Sequence, residues 1–309
     1  MKPRHFLRDD DLTAEEQALV LQRALELKAA PFSRRPLEGP RTVAVVFDKP
    51  TLRTQASFTA GVAELGGYPM LVDGNLARIG ARESVADTAR VLGRMVSAVV
   101  WRTFGQDRIE EMAAYAGVPV VNALTDDFHP CQLLADLQTI EEHKGTLAGL
   151  TVAFLGDAAS NMSHSFLLAC ATAGMHVRVS GPEGFTPDDA ILAKAREIAG
   201  TTGGSASYVV DPVAAVTGAD VVATDTWVSM GKEGEAEERS RPFLPYALDA
   251  ELRAHADADA IVLHCLPAYR GKEIAADVID GRQSVVWDEA ENRLHAQKAL
   301  LTWLAEHSS

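Results

Sequence analysis

Cysteine is scarce in this chain of 309 residues, which contains only Cys131, Cys170 and Cys265. An odd number of widely separated cysteines does not form a disulfide framework, and no C-x-x-C pair is present to suggest structural zinc. The N-terminal segment also lacks a signal peptide, because three aspartates follow its few basic residues where an apolar region would be needed. We therefore expect a reduced protein in the cytoplasm.

Long apolar runs and an excess of basic residues are missing as well. No segment reaches the roughly 20 apolar residues that span a bilayer, so we expect no membrane partner. The 29 Lys and Arg residues are outnumbered by 43 Asp and Glu residues, and the formal net charge is −14. Because nucleic-acid binding draws on clustered Lys and Arg, this charge opposes a nucleic-acid partner. It still allows a small anion to be held by a few arginines in one place.

Strand-like and helix-like segments alternate along the chain, which predicts an α/β fold with parallel sheets. The pattern runs once through the first half and restarts after residue 149, so we expect two domains. In the first half, the predicted strands are 41–47, 69–74 and 96–101, and the predicted helices are 14–30, 54–67 and 83–95. In the second half, the predicted strands are 150–156, 175–182, 206–210, 219–225, 258–265 and 284–289, and the predicted helices are 162–174, 187–200 and 290–307. The Glu- and Arg-rich segment 231–242 is predicted to be a long loop.

Polar side chains follow several predicted strands, at the sheet edge where ligands of parallel α/β proteins collect. The segment DKPTLRT (48–54) leads into a helix, whose free N–H groups and dipole attract anions, and Arg53 adds a cation there. A capped helix with a surface arginine is the alternative. FHPCQ (128–132) has the same form, with His129 before a helix and Gln132 inside it, although the position of His129, taken alone, favours a structural role.

The second half offers an aspartate and a serine in DTWVSMG (225–231) and a thiol in HCLP (264–267). Taken alone, Cys265 would be a small buried hydrophobe. The turn after Gly156 lacks the G-x-G-x-x-G spacing, so we do not expect a dinucleotide. A metal site made from His264, Cys265, His129 and Cys131 would need strand ends and a helix end to coincide, so we do not expect a metal.

Five motifs together identify a resemblance. PTLRT, FHPCQ, DTWVSMG, HCLP and DEAENRLHAQKALL, in that order, closely resemble the aspartate/ornithine carbamoyltransferase family and its ornithine branch in particular. The resemblance covers essentially the whole chain. It implies two doubly wound domains, each with a central parallel sheet flanked by helices. Residues 1–142, completed by a C-terminal helix 290–309 that packs back on them, would bind carbamoyl phosphate, and residues 150–289 would bind ornithine.

The resemblance also implies an activity: transfer of the carbamoyl group to the δ-amino group of L-ornithine, giving L-citrulline and phosphate in arginine metabolism, without a cofactor. A homotrimer or a multiple of trimers is the expected assembly. Four residues would act on the reacting groups: Arg102, His129, Asp225 and Cys265. Residues expected to bind carbamoyl phosphate are Thr51, Leu52, Arg53, Thr54, Arg78, Arg102, His129, Gln132, Cys265, Leu266 and Arg293. Residues expected to bind ornithine are Asn161, Asp225, Ser229 and Met230.

The chain departs from the family pattern at a few of these positions. Leu52 stands where threonine is common, and Thr51 where serine is usual. Arg78 matches a glutamine that reaches a neighbouring subunit's substrate, Gln55 replaces a frequent arginine, and Tyr269 replaces a histidine. These departures keep two alternatives open: a carbamoyltransferase with another amine acceptor, such as putrescine, or a non-catalytic paralogue that binds the same ligands.

Overall fold

The structure, a computed structural model, describes residues 3–227 and 240–308. The chain divides into two compact units. The first unit runs to Gln138 and takes in the chain again from Glu291 onward, and the second unit is Thr139–Ala290. The chain passes from one unit to the other at two points, and both lie inside helices and not in loops. Residue 138 lies within Pro130–Lys144, and residue 291 lies within Val286–His307.

A parallel sheet forms the centre of the first unit. Among the described residues its strands are β1 (Thr42–Phe47), β2 (Tyr68–Asp73), β3 (Ala98–Arg102) and β4 (Val120–Leu124), in the order β2-β1-β3-β4. The central strands are continuous apolar runs because both faces of the sheet are covered. Phe47 pairs with Asp73 on one side and with Arg102 on the other, so the three strands end at one level. The segments that follow them therefore share one edge of the sheet.

The helices of the first unit follow the sequence-based prediction closely at the start of the chain. Thr13 caps the first helix, with Glu16 completing a capping box, as its sequence spacing indicates. A 3₁₀ turn at Asp9–Asp11 precedes it. The helices are α1 (Ala14–Ala29), α2 (Arg53–Glu64), α3 (Gly74–Ala77), α4 (Val85–Leu92), α5 (Gln106–Ala116) and α6 (Pro130–Lys144). Strand β4 and helix α5 were not among the predicted elements.

A larger parallel sheet forms the second unit, with β5 at its centre. Its strands in the described part of the chain are β5 (Thr151–Leu155), β6 (His176–Ser180), β7 (Ser205–Val209), β8 (Val221–Thr224) and β9 (Ile261–His264), in the order β7-β6-β5-β8-β9. The helices are α7 (Asn161–Thr172), α8 (Asp189–Thr202), α9 (Pro212–Val216), α10 (Ala250–Arg253) and α11 (Ala276–Ile279). The strand order reverses direction at β5, and such a switch point is where open α/β sheets bind ligands.

The last helix, α12 (Val286–His307), belongs to the first unit from Glu291 onward. It packs against α2 so closely that a Cβ atom added to Gly61 would lie 3.1 Å from Cγ of Lys298. The buried Lys298 ammonium donates to the Pro31 carbonyl over 2.9 Å and pairs with Glu64. The fold class, including a C-terminal helix that packs back on the N-terminal part of the chain, is confirmed.

The predicted strand 284–289 is wrong. Ser284 makes an isolated bridge with Val262, and the helix begins two residues later. The β-branched and aromatic residues Val285, Val286 and Trp287 suggested a strand, but Asp288 and Glu289 follow them in the first helical turn, where the helix dipole favours negative charge.

The predicted loop 231–242 is described only at its end, where Ser240 precedes a 3₁₀ helix at Arg241–Tyr246; residues 231–239 lie outside the described part of the chain. Within residues 3–227 and 240–308, no helix combines the length and the apolar character that crossing a bilayer requires.

Candidate active site

The loop between β1 and α2 places an uncapped helix start at the edge of the first sheet. The chain leaves β1 at Phe47, and α2 begins at Arg53 with Leu52 in the N-cap position. Leucine cannot cap a helix, and no side-chain bond from Leu52 to the first turn exists. Its side chain is 79% exposed, whereas Thr51 and Arg53 are half-buried. The helix start therefore offers backbone N–H groups and one guanidinium to an anion.

Arg293 joins this helix start to the start of α6. Its guanidinium, 3% exposed, donates through Nη2 to Oγ1 of Thr54 over 3.3 Å and through Nη1 to Oε1 of Gln132 over 2.5 Å. Gln132 is oriented in turn, because its Nε2 donates to Oδ1 of Asp136 over 2.8 Å. Arg293 is thus directly bonded to Thr54 and to Gln132, two residues that other motifs predicted and that are far from it in the sequence.

His129 and Arg102 are buried at the same edge. Arg102 is the last residue of β3, and His129 directly precedes α6. Burial is the main cause that lowers the pKa of His129 well below its ordinary value of 6.5, and the positive charges of Arg293, Arg102, Arg53 and Lys49 lower this pKa further. The imidazole is therefore neutral at pH 7, with one nitrogen able to donate a hydrogen bond and the other to accept one.

Arg78 lies in the segment after β2 and is exposed. Its φ is 50°, in the left-handed region, and its N–H donates to the Gly74 carbonyl over 2.7 Å. Among the described residues, Arg78 and Leu266 are the non-glycine residues with positive φ. This conformation costs an L-residue roughly 1–2 kcal/mol, and such strain is concentrated at functional sites.

Asp225 and Cys265 meet at the corresponding edge of the second sheet. Thr224, at the end of β8, pairs with His264, at the end of β9, so the two following residues are neighbours. The Cys265 thiol donates to Oδ1 of Asp225 over 3.1 Å. The same oxygen accepts from the Thr226 N–H over 2.7 Å. A carboxylate and a protonated thiol are therefore held side by side at the edge of the sheet.

Asn161, the second predicted ornithine residue that the structure describes, begins α7 after β5. Ser160 caps this helix by accepting from the Ser163 N–H over 3.2 Å. The side chain of Asn161 is half-buried. Because β5 is flanked by β6 and β8, the start of α7 lies at the switch point of the sheet, on the same edge as Asp225. Ser229 and Met230, the other two residues of the predicted set, lie outside the described residues.

A buried histidine and a buried glutamate set the path of the chain around Cys265. Nδ1 of His264 accepts from the Leu266 N–H over 2.9 Å, so the proton is on Nε2, which donates to Oε1 of Glu273 over 3.2 Å. Glu273 also accepts from the Tyr269 N–H over 2.5 Å. Tyr269 uses its backbone for this contact, and its side chain is 43% exposed with the Lys272 ammonium 5.2 Å from the ring centre. A change from histidine to tyrosine at this position therefore leaves the contact with Glu273 intact.

The donor atoms of Asp225, His264 and Cys265 lie within 4.8 Å of one another, which raises the question of a metal ion. His264 can coordinate a metal through Nδ1 only if it gives up the bond from Leu266, and Nε2 is turned to Glu273. The bonding pattern of these residues therefore fits a hydrogen-bonded carboxylate and thiol, and does not fit a metal site.

Four polar residues near these sites carried no functional signal in the motifs. Asp48, Thr103 and Arg108 are bonded to one another beside the ends of β1 and β3. Glu273 supports the segment after β9, as described above. Asp48 stands in the DKPTLRT motif and Thr103 directly follows Arg102, so their positions were visible in the sequence. Arg108 and Glu273 reach their partners only through tertiary contacts.

Two family models match the chain. The carbamoyl-P binding domain of aspartate/ornithine carbamoyltransferase matches residues 4–142. The Asp/Orn binding domain of aspartate/ornithine carbamoyltransferase matches residues 148–304.

Individual proteins are similar over the whole chain. A protein of Clavibacter sepedonicus named ornithine carbamoyltransferase is 61% identical over 305 residues, covering 99% of both chains. Another of that name from Mycolicibacterium paratuberculosis is 59% identical over 309 residues, covering 100% of both. Among solved structures, ornithine carbamoyltransferase from Pyrococcus furiosus superimposes with a TM-score of 0.93 at 45% identity, covering 97% of this chain and 96% of that one.

Proposed function

Because this chain belongs to the aspartate/ornithine carbamoyltransferase family, we propose that it transfers the carbamoyl group of carbamoyl phosphate to the δ-amino group of L-ornithine, giving L-citrulline and phosphate. The observation that carries this proposal is the similarity, along the entire chain, to proteins named ornithine carbamoyltransferase. The local geometry supports it, because each unit holds one set of groups with the chemistry that one substrate requires.

The first unit is assigned to carbamoyl phosphate. The helix start at Thr51 to Thr54, which includes Leu52 through its backbone N–H, would hold the phosphate together with Arg53. Arg293, already bonded to Thr54 and Gln132, would contribute a buried cation. Arg78, as the resemblance implies, would add a guanidinium to the carbamoyl phosphate of a neighbouring subunit. Cations that are in place before the reaction stabilise the leaving phosphate without reorganisation.

Arg102 and His129 are assigned to the carbamoyl oxygen. Negative charge develops on this oxygen when the amine attacks the carbonyl carbon, and hydrogen-bond donors aimed at it lower the barrier. The lowered pKa of His129 keeps the ring neutral, so it donates a hydrogen bond without adding another cation to a crowded cluster. Gln132 orients Arg293 and is assigned to the carbamoyl amide group.

The second unit is assigned to ornithine. Asn161 and Asp225, with Ser229 and Met230 as expected from the resemblance, would bind the α-amino and α-carboxylate groups and align the side chain. The δ-amine should have a pKa near that of lysine, about 10.4, so at pH 7.4 only about one molecule in a thousand is neutral, a deficit of roughly 4 kcal/mol. The site must therefore favour loss of this proton before the nitrogen attacks.

Cys265 and Leu266 are assigned to contacts with the carbamoyl phosphate as well as to the neighbourhood of the amine. The Cys265 sulfur carries its proton in the bond to Asp225, which suits orientation of the attacking nitrogen and does not suit a covalent nucleophile. The reaction is complete when the new C–N bond forms, the bond from the carbonyl carbon to the phosphate oxygen breaks, and the amine proton leaves with solvent or phosphate.

A homotrimer or a multiple of trimers in the cytoplasm, acting in arginine biosynthesis, completes the proposal. The test is an assay of citrulline with the purified protein, carbamoyl phosphate and L-ornithine. Citrulline above background is expected, and its absence at saturating substrate, with both ligands still stabilising the protein against heat, would identify a non-catalytic paralogue. In a competition at equal concentrations, ornithine should be carbamoylated in preference to putrescine, because Asp225 and Asn161 offer partners to an α-amino acid.

A further inference from the structure

Arg108, near the start of α5, connects three separate segments of the first unit. Its Nε donates to Oγ1 of Thr103 over 3.0 Å, and its Nη2 donates to the Ile79 carbonyl over 2.9 Å. The same Nη2 lies 3.3 Å from Oδ2 of Asp48, which also accepts from the Thr103 hydroxyl over 2.6 Å. One planar guanidinium therefore holds a hydroxyl, a backbone carbonyl and a carboxylate at once, a geometry that a guanidinium provides and an ammonium does not.

Each of these partners is next to a residue or loop assigned to carbamoyl phosphate. Thr103 directly follows Arg102, and Ile79 directly follows Arg78. Asp48 opens the loop that leads from β1 to the start of α2. Arg108 itself is not assigned to the substrate, because its charge is already paired with Asp48.

The contacts of this group leave little space around the segment 74–80. A Cβ atom added to Gly80 would lie 2.7 Å from Nη1 of Arg108, and one added to Gly74 would lie 1.9 Å from Oδ1 of Asp48. Asp48 is buried, and the Arg108 guanidinium lies 5.2 Å from the ring centre of Trp101. One end of the segment is thus bonded to Arg108 through the Ile79 carbonyl, and the other end, at Gly74, lies in close contact with Asp48.

Arg78 lies between these two ends in a left-handed conformation. A residue other than glycine keeps such a conformation when the surrounding contacts enforce it. We propose that Arg108, paired with Asp48, is a positioning residue that fixes the segment 74–80 and thereby aims Arg78 at carbamoyl phosphate. This inference rests on the proposed function for the role of Arg78.

The test combines Arg108→Gln and Arg108→Lys with Arg78→Ala, and measures kcat and both KM values by citrulline formation. Loss of a charge-assisted hydrogen bond should raise the KM for carbamoyl phosphate by about tenfold in Arg108→Gln. The KM for ornithine should stay within about twofold, because none of the partners of Arg108 is assigned to ornithine. Arg108→Lys should recover only part of the loss, since a single ammonium cannot bond Thr103 and Ile79 together.

The combination with Arg78→Ala decides between positioning and a direct effect of charge. If Arg108 acts through Arg78, adding Arg108→Gln to Arg78→Ala should change the KM for carbamoyl phosphate by less than about twofold. A full additional loss in this background would overturn the proposal. So would complete rescue by Arg108→Lys, or an unchanged KM in Arg108→Gln.

Arg90→Gln serves as the matched control. Arg90 is an arginine of α4 that pairs with Asp87 over 2.8 Å and lies over Tyr115, away from the Arg108 group. Arg90→Gln should leave the KM for carbamoyl phosphate and the KM for ornithine unchanged. Circular dichroism and thermal midpoints verify folding, and Arg108→Lys keeps the test decisive if Arg108→Gln does not fold. If the unaltered protein forms no citrulline, the proposed function fails. The same variants are then compared by calorimetric binding of carbamoyl phosphate. Equal affinity of Arg108→Gln and the unaltered protein in that measurement would overturn the positioning role.

Discussion

The Cys265 thiol donates a hydrogen bond to Oδ1 of Asp225, and these residues come from the ends of neighbouring strands although 40 positions separate them in the sequence. The register of β8 with β9 brings them together, because Thr224 is paired with His264. The bond orients a carboxylate that is assigned to ornithine. Cys265 is thereby a polar partner of Asp225 and not an isolated buried thiol.

Replacement of Cys265 should therefore separate hydrogen bonding from simple packing. Cys265→Ala removes the donor to Asp225 and should lower kcat/KM for ornithine by about tenfold, the usual effect of losing one hydrogen bond to a charged group. Cys265→Ser keeps a donor and should lose less. Steady-state citrulline assays measure both variants. Equal activity of Cys265→Ala and the unaltered protein would rule out a role for this bond in the reaction.

Replacement of Arg53 and replacement of Asp225 should weaken the binding of different substrates. Arg53→Ala removes a guanidinium beside the helix start and should raise the KM for carbamoyl phosphate by about tenfold or more. Asp225→Ala should chiefly raise the KM for ornithine, by a similar factor, because it removes a charged partner of the α-amino group. Measuring each KM at saturation of the other substrate tests the assignment, and a reversed pattern would contradict the roles given to the two units.

His129 should influence both catalysis and the response of stability to pH. Its pKa in the folded protein lies well below 6.5, so at pH values just below 6.5 the unfolded chain binds more protons than the folded one. The stability that depends on neutral His129 is therefore present above pH 6.5 and is lost as the pH falls below it. In His129→Gln, the free energy of unfolding in urea should decrease less between pH 7 and pH 5 than in the unaltered protein.

His129→Gln should also lower kcat by about a hundredfold, the order of effect seen when one donor to a developing negative charge is removed. His143→Gln is the control, because His143 is a more exposed histidine whose Nε2 lies 2.8 Å from Asp288 and which is not assigned to a substrate. It should leave kcat unchanged. A decrease of kcat in His143→Gln as large as that in His129→Gln would show that the effect is not specific to the site.

The three thiols should differ in their reactivity toward an alkylating reagent. Burial raises the pKa of Cys131 to about 12, and Cys170 is also completely buried, whereas Cys265 is partly exposed. We expect Cys265 to react at least about tenfold faster than the other two in the folded protein, because Cys265 is accessible to the reagent and the other two thiols are buried. Mass spectrometry after timed alkylation identifies the modified residue, and Cys265→Ser should remove the fast phase. A fast phase located at Cys131 would contradict this order.

The sequence motifs were informative about which residues belong to the sites and much less about how they contact one another. PTLRT, FHPCQ and the final motif each contained a residue of the group formed by Thr54, Gln132 and Arg293, and helix and strand periodicity placed most of the elements that carry them. That Arg293 bonds both other residues depends on the packing of α12 against the first unit, which no local pattern contains. Arg108 and Glu273 were missed for the same reason.

The one wrong element has a different cause. Val285, Val286 and Trp287 have strong strand preferences, and local preference was the only information that the sequence offered there. In the folded chain the helix begins at Val286 and is 22 residues long. The strand preference of its first turn is therefore outweighed by the helix preference of the segment as a whole.

The division of the chain between the two units has a consequence for the gene that encodes it. The second unit is an insertion in the first, which is completed only when the residues from Glu291 onward have been made. A chain that stopped at Ala290 would lack Arg293 and Lys298, and with them the bonds to Thr54 and Gln132 and the buried ion pair with Glu64. The codons from Glu291 onward therefore encode part of the site to which α2 and α6 also contribute, and a nonsense mutation directly after Ala290 should remove carbamoyl phosphate binding although every strand of both sheets is still encoded.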